Sequence, residues 1–327
     1  MDVLYTCDNN YIWLMGISVI SMFENNSDFE DLNVYLLGEN VSNENKIILK
    51  QIEKKYNRKI TIIDVPKLDI PQALVSDRWP LSAFTRLYSG ELLPDDVHRI
   101  LYLDCDTIVT GSLENLERCN ISGKIFWGVK DCIGKEYKKN IGIGEDGVYI
   151  NAGVLLINLD ELRKIQIKKL LDQYMQNYKK IINYADQDVL NGVFLGKIGI
   201  LPPCYDVMTI AYVYSYKEIQ ILRSPTNFYH EEELEFAIKN PVIIHYTTNM
   251  LTIRPWYSNS DHPMTKEFRK YLSISPWKNR ELEEMNFGSK EATVISIVNK
   301  LPRWCSMRIL GFIHSTLKPI IIRIKSK

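Results

Sequence analysis

Apolar positions in the first hundred residues come in short blocks separated by amphipathic or polar stretches. "DVLYTC" (2–7) is short, apolar and β-prone, and reads as a buried first strand. "NNYIWLMGISVISMFENN" follows with helical spacing, and "LNVYLLG" (32–38) reads as a second strand. "SNENKIILKQIEKKYN" (42–57) is an amphipathic helix, with Ser42 as N-cap and Asn45 where a capping-box glutamate would sit. "KITIIDV" (59–65) is a third strand, "SAFTRLYSGELLP" a helix stopped by Pro94, and "RILYLD" (99–104) a fourth strand. Strand and helix in alternation predict an α/β doubly wound, mostly parallel sheet. Continuous apolar strands fit a sheet covered by helices on both faces.

Further on, "IFWGVKD" (125–131) and "AGVLLIN" (152–158) are strand candidates. "DELRKIQIKKLLDQYMQNYKKI" (160–181) reads as one long helix with Asp160 as N-cap, and "DQDVLNGVF" (186–194) as a short helix. "GIGEDG" (142–147) is a loop, and the chain is loop-rich from about residue 202. The length suits one large α/β domain with a smaller C-terminal appendage.

Carboxylates stand where strands end: Asp8 after the first, Asp104 and Asp106 after the fourth, Asp131 after "IFWGVK". In an open sheet, ligands sit outside the carboxyl ends of the strands. Acids gathered on one rim repel unless a cation lies between them, and alternate strand residues share a face, so Asp104 and Asp106 can converge on one ion. Oxygen ligands favour Mg²⁺ or Mn²⁺, and an added imidazole leans toward Mn²⁺. Taken alone, D-x-D is as well explained by a turn or a cap.

Its flanks carry more. "LYLDCDTIV" resembles the metal-binding core of glycosyltransferase family 8, which includes lipopolysaccharide α-galactosyltransferases and glycogenin. "YTCDNNY", "SAFTRLY", "YINAGVLLINL", "ADQDVLNGVF" and "HYTTNMLTIRPW" resemble further family stretches, in the same order. The resemblance implies a GT-A, Rossmann-like catalytic domain over residues 1–260, followed by a small, basic, helical segment over 261–327. It implies a retaining hexosyltransferase with a UDP-sugar donor, galactose or glucose favoured and N-acetylglucosamine the alternative. The acceptor would be a glycan, glycolipid or glycoprotein.

By the same resemblance Asp104, Asp106 and His245 would hold Mn²⁺, or else Mg²⁺. Asp8 and Asn10 would contact uracil, with Thr6 and Tyr11 beside it. Arg86 would contact the donor sugar or its phosphates, and Asn151 would lie near the sugar. Asp186 would bond sugar hydroxyls, Gln187 would lie under the anomeric carbon, and Asp131 would sit near sugar and acceptor. The closing motif departs from the family pattern. Its spacer "TTNMLTI" is longer and lacks glycine, and Arg254 replaces a lysine, keeping the charge and offering a planar fork to phosphate. Read without the resemblance, His245 is a core histidine, Arg86 a solvated charge, Asn151 a turn cap and Gly153 a packing residue. Trp79, Trp127, Trp256 and Trp277 are expected in packing, and His98, His230, His262 and His314 match no family position.

Charge changes the picture at one end. Net charge is zero, but residues 292–327 contain seven Lys or Arg and no acid, so residues 1–291 carry seven net negatives. Such a body is a poor partner for nucleic acid. The tail mixes those cations with Trp, Phe and Ile, the pattern of a segment lying on an anionic membrane surface; the bland reading is a helix packed on the body. Six cysteines without a C-x-x-C pair read as reduced thiols. With no basic n-region and no apolar run of spanning length, the expected location is the cytoplasm, or the inner face of the membrane as a peripheral protein.

Three other classes compete with this reading. A haloacid-dehalogenase-type phosphohydrolase also places D-x-D after a strand, but it wants threonine where Ile108 stands, and Thr107 is one residue early. A non-catalytic nucleotide-sugar or glycan-binding scaffold would need no full ligand set. A self-glucosylating, glycogenin-like protein would have itself as acceptor.

Overall fold

The computed structural model describes residues 1–66, 81–288, 295–296, 298 and 300–326. Trp79 and residues 292–294 of the tail lie outside them. A seven-stranded sheet forms the centre, in the order β3-β2-β1-β4-β7-β6-β8. Its strands are β1 (Asp2–Asp8), β2 (Asn33–Glu39), β3 (Ile60–Asp64), β4 (Arg99–Leu103), β6 (Phe126–Lys130), β7 (Ile150–Asn158) and β8 (Ile198–Ile200). All run parallel except β7, which is antiparallel to both β4 and β6.

Both faces are covered. Val3, Tyr5, Leu36, Leu101, Leu103 and Leu156 join one apolar cluster. Leu4, Leu37, Ile100, Tyr102, Leu155 and Ile157 join the other. Successive strand residues point to opposite sides, so a continuous apolar run is what a sheet buried on both faces requires. Helix Ile12–Asn25 lies within the first cluster, and its Gly16 admits the Trp277 ring, which a Cβ would strike. Helix Asn43–Tyr56 is capped as expected: the Ser42 hydroxyl accepts from Asn45 N at 3.2 Å. The Asn45 side chain instead donates to Asn9 Oδ1 at 2.8 Å, tying this helix to the turn after β1.

Two expectations are corrected. The segment 160–181 is not one helix. Leu159–Arg163 is capped by Asn158, not Asp160, and Ile167–Tyr178 follows. Between them Gln166 leaves the helical region (φ −78°, ψ 80°), which turns Ile167 into the core. The helix around Arg86 is likewise broken, into Leu81–Thr85, a 3₁₀ turn at Arg86–Tyr88, and Ser89–Leu92, which does end before Pro94.

A second, three-stranded sheet follows the order β5-β10-β9, from β5 (Thr107–Val109), β9 (Val207–Met208) and β10 (Ile243–His245). Strand β4 ends at Leu103, so Asp104 and Asp106 lie in the connection between the two sheets rather than on one strand face.

At the C-terminus, Arg303–Gly311, a π-helical turn at Phe312–Leu317 and Lys318–Ser326 run on as one helical segment. Ser306, Met307, Ser315 and Pro319 form its buried stripe. Gly311 sits so close to the Ile221 carbonyl that a Cβ would collide with it. Arg303 pairs with Glu218, and Arg323 with Glu136 at 2.7 Å. The segment also exposes Trp304, Ile309, Phe312, Ile313 and Ile324. No helix among the described residues is long and apolar enough to cross a membrane. All six cysteines are free.

Candidate functional site

The small sheet assembles the acids and the imidazole. His245 pairs across the ladder with Thr107, one residue past Asp106, and Asp206 immediately precedes β9 on the other side. His245 Nε2 lies 3.3 Å from Asp106 Oδ1 and 3.9 Å from Asp104 Oδ2. One ligand atom from each of the three falls within 4.8 Å of the others. Two carboxylates and one imidazole nitrogen at that spacing are a donor set suited to a divalent ion such as Mn²⁺. Gly153 backs the cluster: a Cβ there would run into the His245 ring and stand 2.9 Å from Asp104 Oδ2.

The histidine is buried, yet it is not the plain core residue that "VIIHY" suggests by itself. Its Nδ1 hydrogen-bonds Asp206 Oδ1 at 2.9 Å, and Asp206 is itself buried. Burial alone would lower the His245 pKa, but Asp206 and Asp106 together raise it well above the ordinary value. Burial likewise would raise Asp106, and His245 and Arg254 more than offset it. Asp206 escaped the sequence reading. The stretch after residue 202 reads as loop from sequence, although short helices and strands β9 and β10 occupy it, and no local pattern separates Asp206 from a turn aspartate.

Arg86 is buried, not solvated. It stands 3.1 Å from Asp104 Oδ1 and 3.1 Å from Asp186 Oδ2, above the Tyr102 ring, and donates to the Ala152 carbonyl. The Nε hydrogen goes to the Ala83 carbonyl, so the Asp186 contact is ionic rather than a hydrogen bond. Burial pushes the Asp186 carboxyl up to about 6 against the pull of Arg86.

Helix Ala185–Val193 supplies the next group. Gln187 Oε1 accepts from Asn151 Nδ2 at 3.1 Å and Ala152 N at 3.2 Å. Its Nε2 donates to Asp131 Oδ2 at 2.9 Å and the Tyr149 hydroxyl at 3.2 Å. Asn151 also accepts from Gly153 N, so its turn-capping and site readings both describe it. Ala185 holds a left-handed conformation (φ 47°), a strained one for a residue with a Cβ, directly before Asp186. Asp188 and Asn191 maintain it. Asp188 accepts from Asn183 N, Tyr184 N and Tyr149, and Asn191 exchanges two hydrogen bonds with Ile150 of β7. These two belong to the quoted "ADQDVLNGVF" stretch, but their work is to fix the turn.

A cleft of about 210 Å³ opens beside the cluster, lined by Thr6, Asp8, Tyr11, Arg86, Asp104 and Arg254, among others. It meets a second cleft, of about 320 Å³, that shares Tyr11 and Arg254 and includes Asn10 and Trp256. Asp8 accepts from Asn10 N at 2.8 Å, shaping the turn after β1. Arg254 packs 4.5 Å from the Trp256 ring and 3.8 Å from Asp106 Oδ2, so the long spacer still returns its charge to the acids. A third cavity, also about 210 Å³, lies past Gln187 and Asp131. The thirteen residues expected at the site thus line one of these three cavities or pair with residues that do. Trp127, Trp256 and Trp277 are packing residues, and Trp256 also borders the second cleft.

Comparison with known proteins places the chain by sequence and by fold. General stress protein A of Bacillus subtilis is 23% identical over 85% of this chain and 94% of its own length. A lipopolysaccharide 1,2-glucosyltransferase of Escherichia coli is 29% identical over 85% of this chain and 79% of its own. A lipopolysaccharide 1,3-galactosyltransferase of Salmonella typhimurium is 23% identical over the same shares. Among solved structures, the galactosyltransferase LgtC in complex with donor and acceptor sugar analogues superposes with a TM-score of 0.68 at 23% identity, covering 90% of this chain and 99% of that one. The fold is therefore the GT-A fold, with a helical C-terminal appendage. Residues 2–260 match the family model described as "Glycosyl transferase family 8", and the chain belongs to that family of glycosyltransferases.

Proposed function

We propose that this glycosyltransferase is a metal-dependent, retaining hexosyltransferase that moves galactose or glucose from a UDP-sugar to a glycan, glycolipid or glycoprotein. UDP-N-acetylglucosamine is the alternative donor. The observation that carries the proposal is the convergence of Asp104, Asp106 and His245 beside a cleft lined with polar groups. The lipopolysaccharide glucosyl- and galactosyltransferases among its relatives support a hexose donor and a glycan acceptor.

Asp8 and Asn10 would read uracil, whose N3–H needs an acceptor and whose carbonyls need donors. Thr6 and Tyr11 would flank the base. Arg254, already stacked on Trp256, would turn its fork to a phosphate. A bound Mn²⁺, or Mg²⁺, would neutralise the diphosphate leaving group. Arg86 would position both Asp104 and Asp186, and Asp186 and Asn151 would bond sugar hydroxyls. Gln187 is a poor nucleophile, and both its amide ends are already hydrogen-bonded. That favours same-face attack, in which the departing phosphate takes the acceptor proton, over a covalent intermediate on this residue.

The test is release of UDP. Purified protein with Mn²⁺ should slowly hydrolyse one of UDP-galactose, UDP-glucose and UDP-N-acetylglucosamine. Asp104→Ala and Asp106→Ala should abolish this while the fold persists. No release from any donor would favour a non-catalytic scaffold, and activity kept by either variant would overturn the metal assignment.

We also propose that the tail meets an anionic membrane surface on the cytoplasmic side. Support comes from the exposed Trp304, Phe312, Ile313 and Ile324, interspersed with the exposed cations Arg308 and Lys325 along a segment whose buried side chains pack on the body. Flotation with anionic liposomes tests it: a chain truncated after Glu291 should lose binding, and undiminished binding would refute the idea.

A further inference from the structure

Arg223 is the last residue of helix Tyr216–Arg223, and it lines the cavity that also holds Asp131, Asn151 and Gln187. It has no carboxylate within ion-pair distance among the described residues. Its Nε is buried with no hydrogen-bond partner. One Nη donates to the His314 ring at 2.6 Å, and that imidazole accepts as a neutral group because burial and the neighbouring cations hold its pKa down to about 3. Asp131 is the acid that shares the cavity, but its two oxygens already take Cys132 N and Gln187 Nε2. Nε is sealed off from the cavity, so it is the guanidinium's charge at the cavity wall, with no carboxylate paired to it among the described residues, that an oxyanion in the cavity would meet.

Resting on the reading of Gln187 as the floor of the donor-sugar site, we infer that this cavity receives the acceptor and that the acceptor carries an anionic group, carboxylate or phosphate, held by Arg223. The cavity has room for about one sugar ring. The anion would then lie on the sugar being modified or on its immediate neighbour. His314 comes from the C-terminal segment and packs between Arg223 and the Tyr137 ring. It keeps the guanidinium from folding back onto its own helix end, where the last carbonyls would otherwise attract it. The bland alternative is that Arg223 serves only to dock that segment.

Two sets of matched sugars separate these cases: galactose, galacturonate and galactose 6-phosphate, and the corresponding gluco sugars. Saturation-transfer NMR reads occupancy without turnover, and transfer from the donor is followed in parallel. The anionic members should bind at least ~10-fold more tightly than the neutral ones, the discrimination a charge-assisted hydrogen bond provides. The two anions compared with each other distinguish carboxylate from phosphate. Arg223→Gln should erase the preference while leaving UDP release in water unchanged. Arg223→Lys should keep part of it. Equal binding of neutral and anionic sugars, or a preference that survives Arg223→Gln, would overturn the inference, as would no binding by any of the six. A protein that binds the anions selectively but releases no UDP would sink the donor assignment, and the acceptor reading with it, and leave only an anion site at Arg223.

Discussion

Asp206 holds His245 from behind: its Oδ1 lies 2.9 Å from Nδ1, on the side of the ring away from Asp106. The carboxylate accepts the Nδ1–H hydrogen bond and so points Nε2 at the acid pair. Partners of this kind orient a metal-binding histidine and raise its basicity, and losing them typically costs 10–100-fold in metal affinity. Asp206→Ala should therefore weaken Mn²⁺ binding by about 10–100-fold by calorimetry. Asp206→Asn keeps an acceptor and should lie at the mild end. Unchanged affinity in the alanine variant would mean that the small sheet alone orients the ring.

Gly153 makes a sharper case, because the residue touches the cluster only through what it lacks. Its backbone is not left-handed, so alanine is strained by crowding alone. The added methyl would have to displace the His245 ring or the Asp104 carboxylate, and β7 is buried on both faces and cannot easily retreat. Gly153→Ala should abolish Mn²⁺ binding and UDP release together while the circular dichroism spectrum stays native. Retained metal affinity would show that the ring can swing aside freely.

Arg86 sits between two carboxylates, and its removal leaves the buried Asp186 without its cation and Asp104 without its own. Breaking a buried ion pair from one side costs about 3–5 kcal/mol. Arg86→Met should lose stability on that scale in urea titrations. The deficit should also grow with pH. Asp186 already titrates near 6 with Arg86 beside it, and without the arginine it rises further. Unfolded, the same carboxyl ionises near 4. Between those values the native variant binds the extra proton, so its stability falls as pH rises. Arg86→Met should accordingly fall further behind wild type at pH 8 than at pH 5.5. A deficit independent of pH would place the cost in lost packing over Tyr102.

Much of this was legible in the chain, for a physical reason. The strands are continuous apolar runs because both faces are buried, and runs of that kind fix β1 to β4 within a residue or so of where they occur. The site residues lie at strand ends or in short distinctive stretches. What escaped was set by tertiary pairing. The reversed direction of β7 leaves no local mark, since an apolar strand reads alike in either sense. Strands β5, β9 and β10 have three, two and three residues, too few for any period to show. Asp206 and Arg223 therefore had no pattern to announce them, although one orients the imidazole and the other enters the cavity beyond Gln187. Arg86 had two readings, and burial decided between them.

His262 offers a test of how firmly His245 is seated. It is buried, edge-on to the ring of Tyr246, the residue after His245. Met264 N donates to its Nδ1 at 3.0 Å, so the ring proton is on Nε2, directed to the Thr209 hydroxyl at 3.1 Å. Protonating Nδ1 would break the Met264 bond and bury a charge, and burial holds the pKa down to about 4. The unfolded ring titrates near 6.5. Between those values the unfolded chain carries the proton and the native protein does not, so stability rises with pH and is lost as pH falls from about 6.5 to 4. The contribution is at most about 3 kcal/mol. His262→Asn keeps an acceptor for Met264 N and cannot titrate. Urea titrations at pH 7 and pH 4.5 should show wild type losing more stability than the variant on acidification, and the difference should vanish above pH 7. Parallel losses in the two proteins would mean that the ring escapes to solvent before it is protonated, and that the wall behind Tyr246 and His245 is looser than its packing implies.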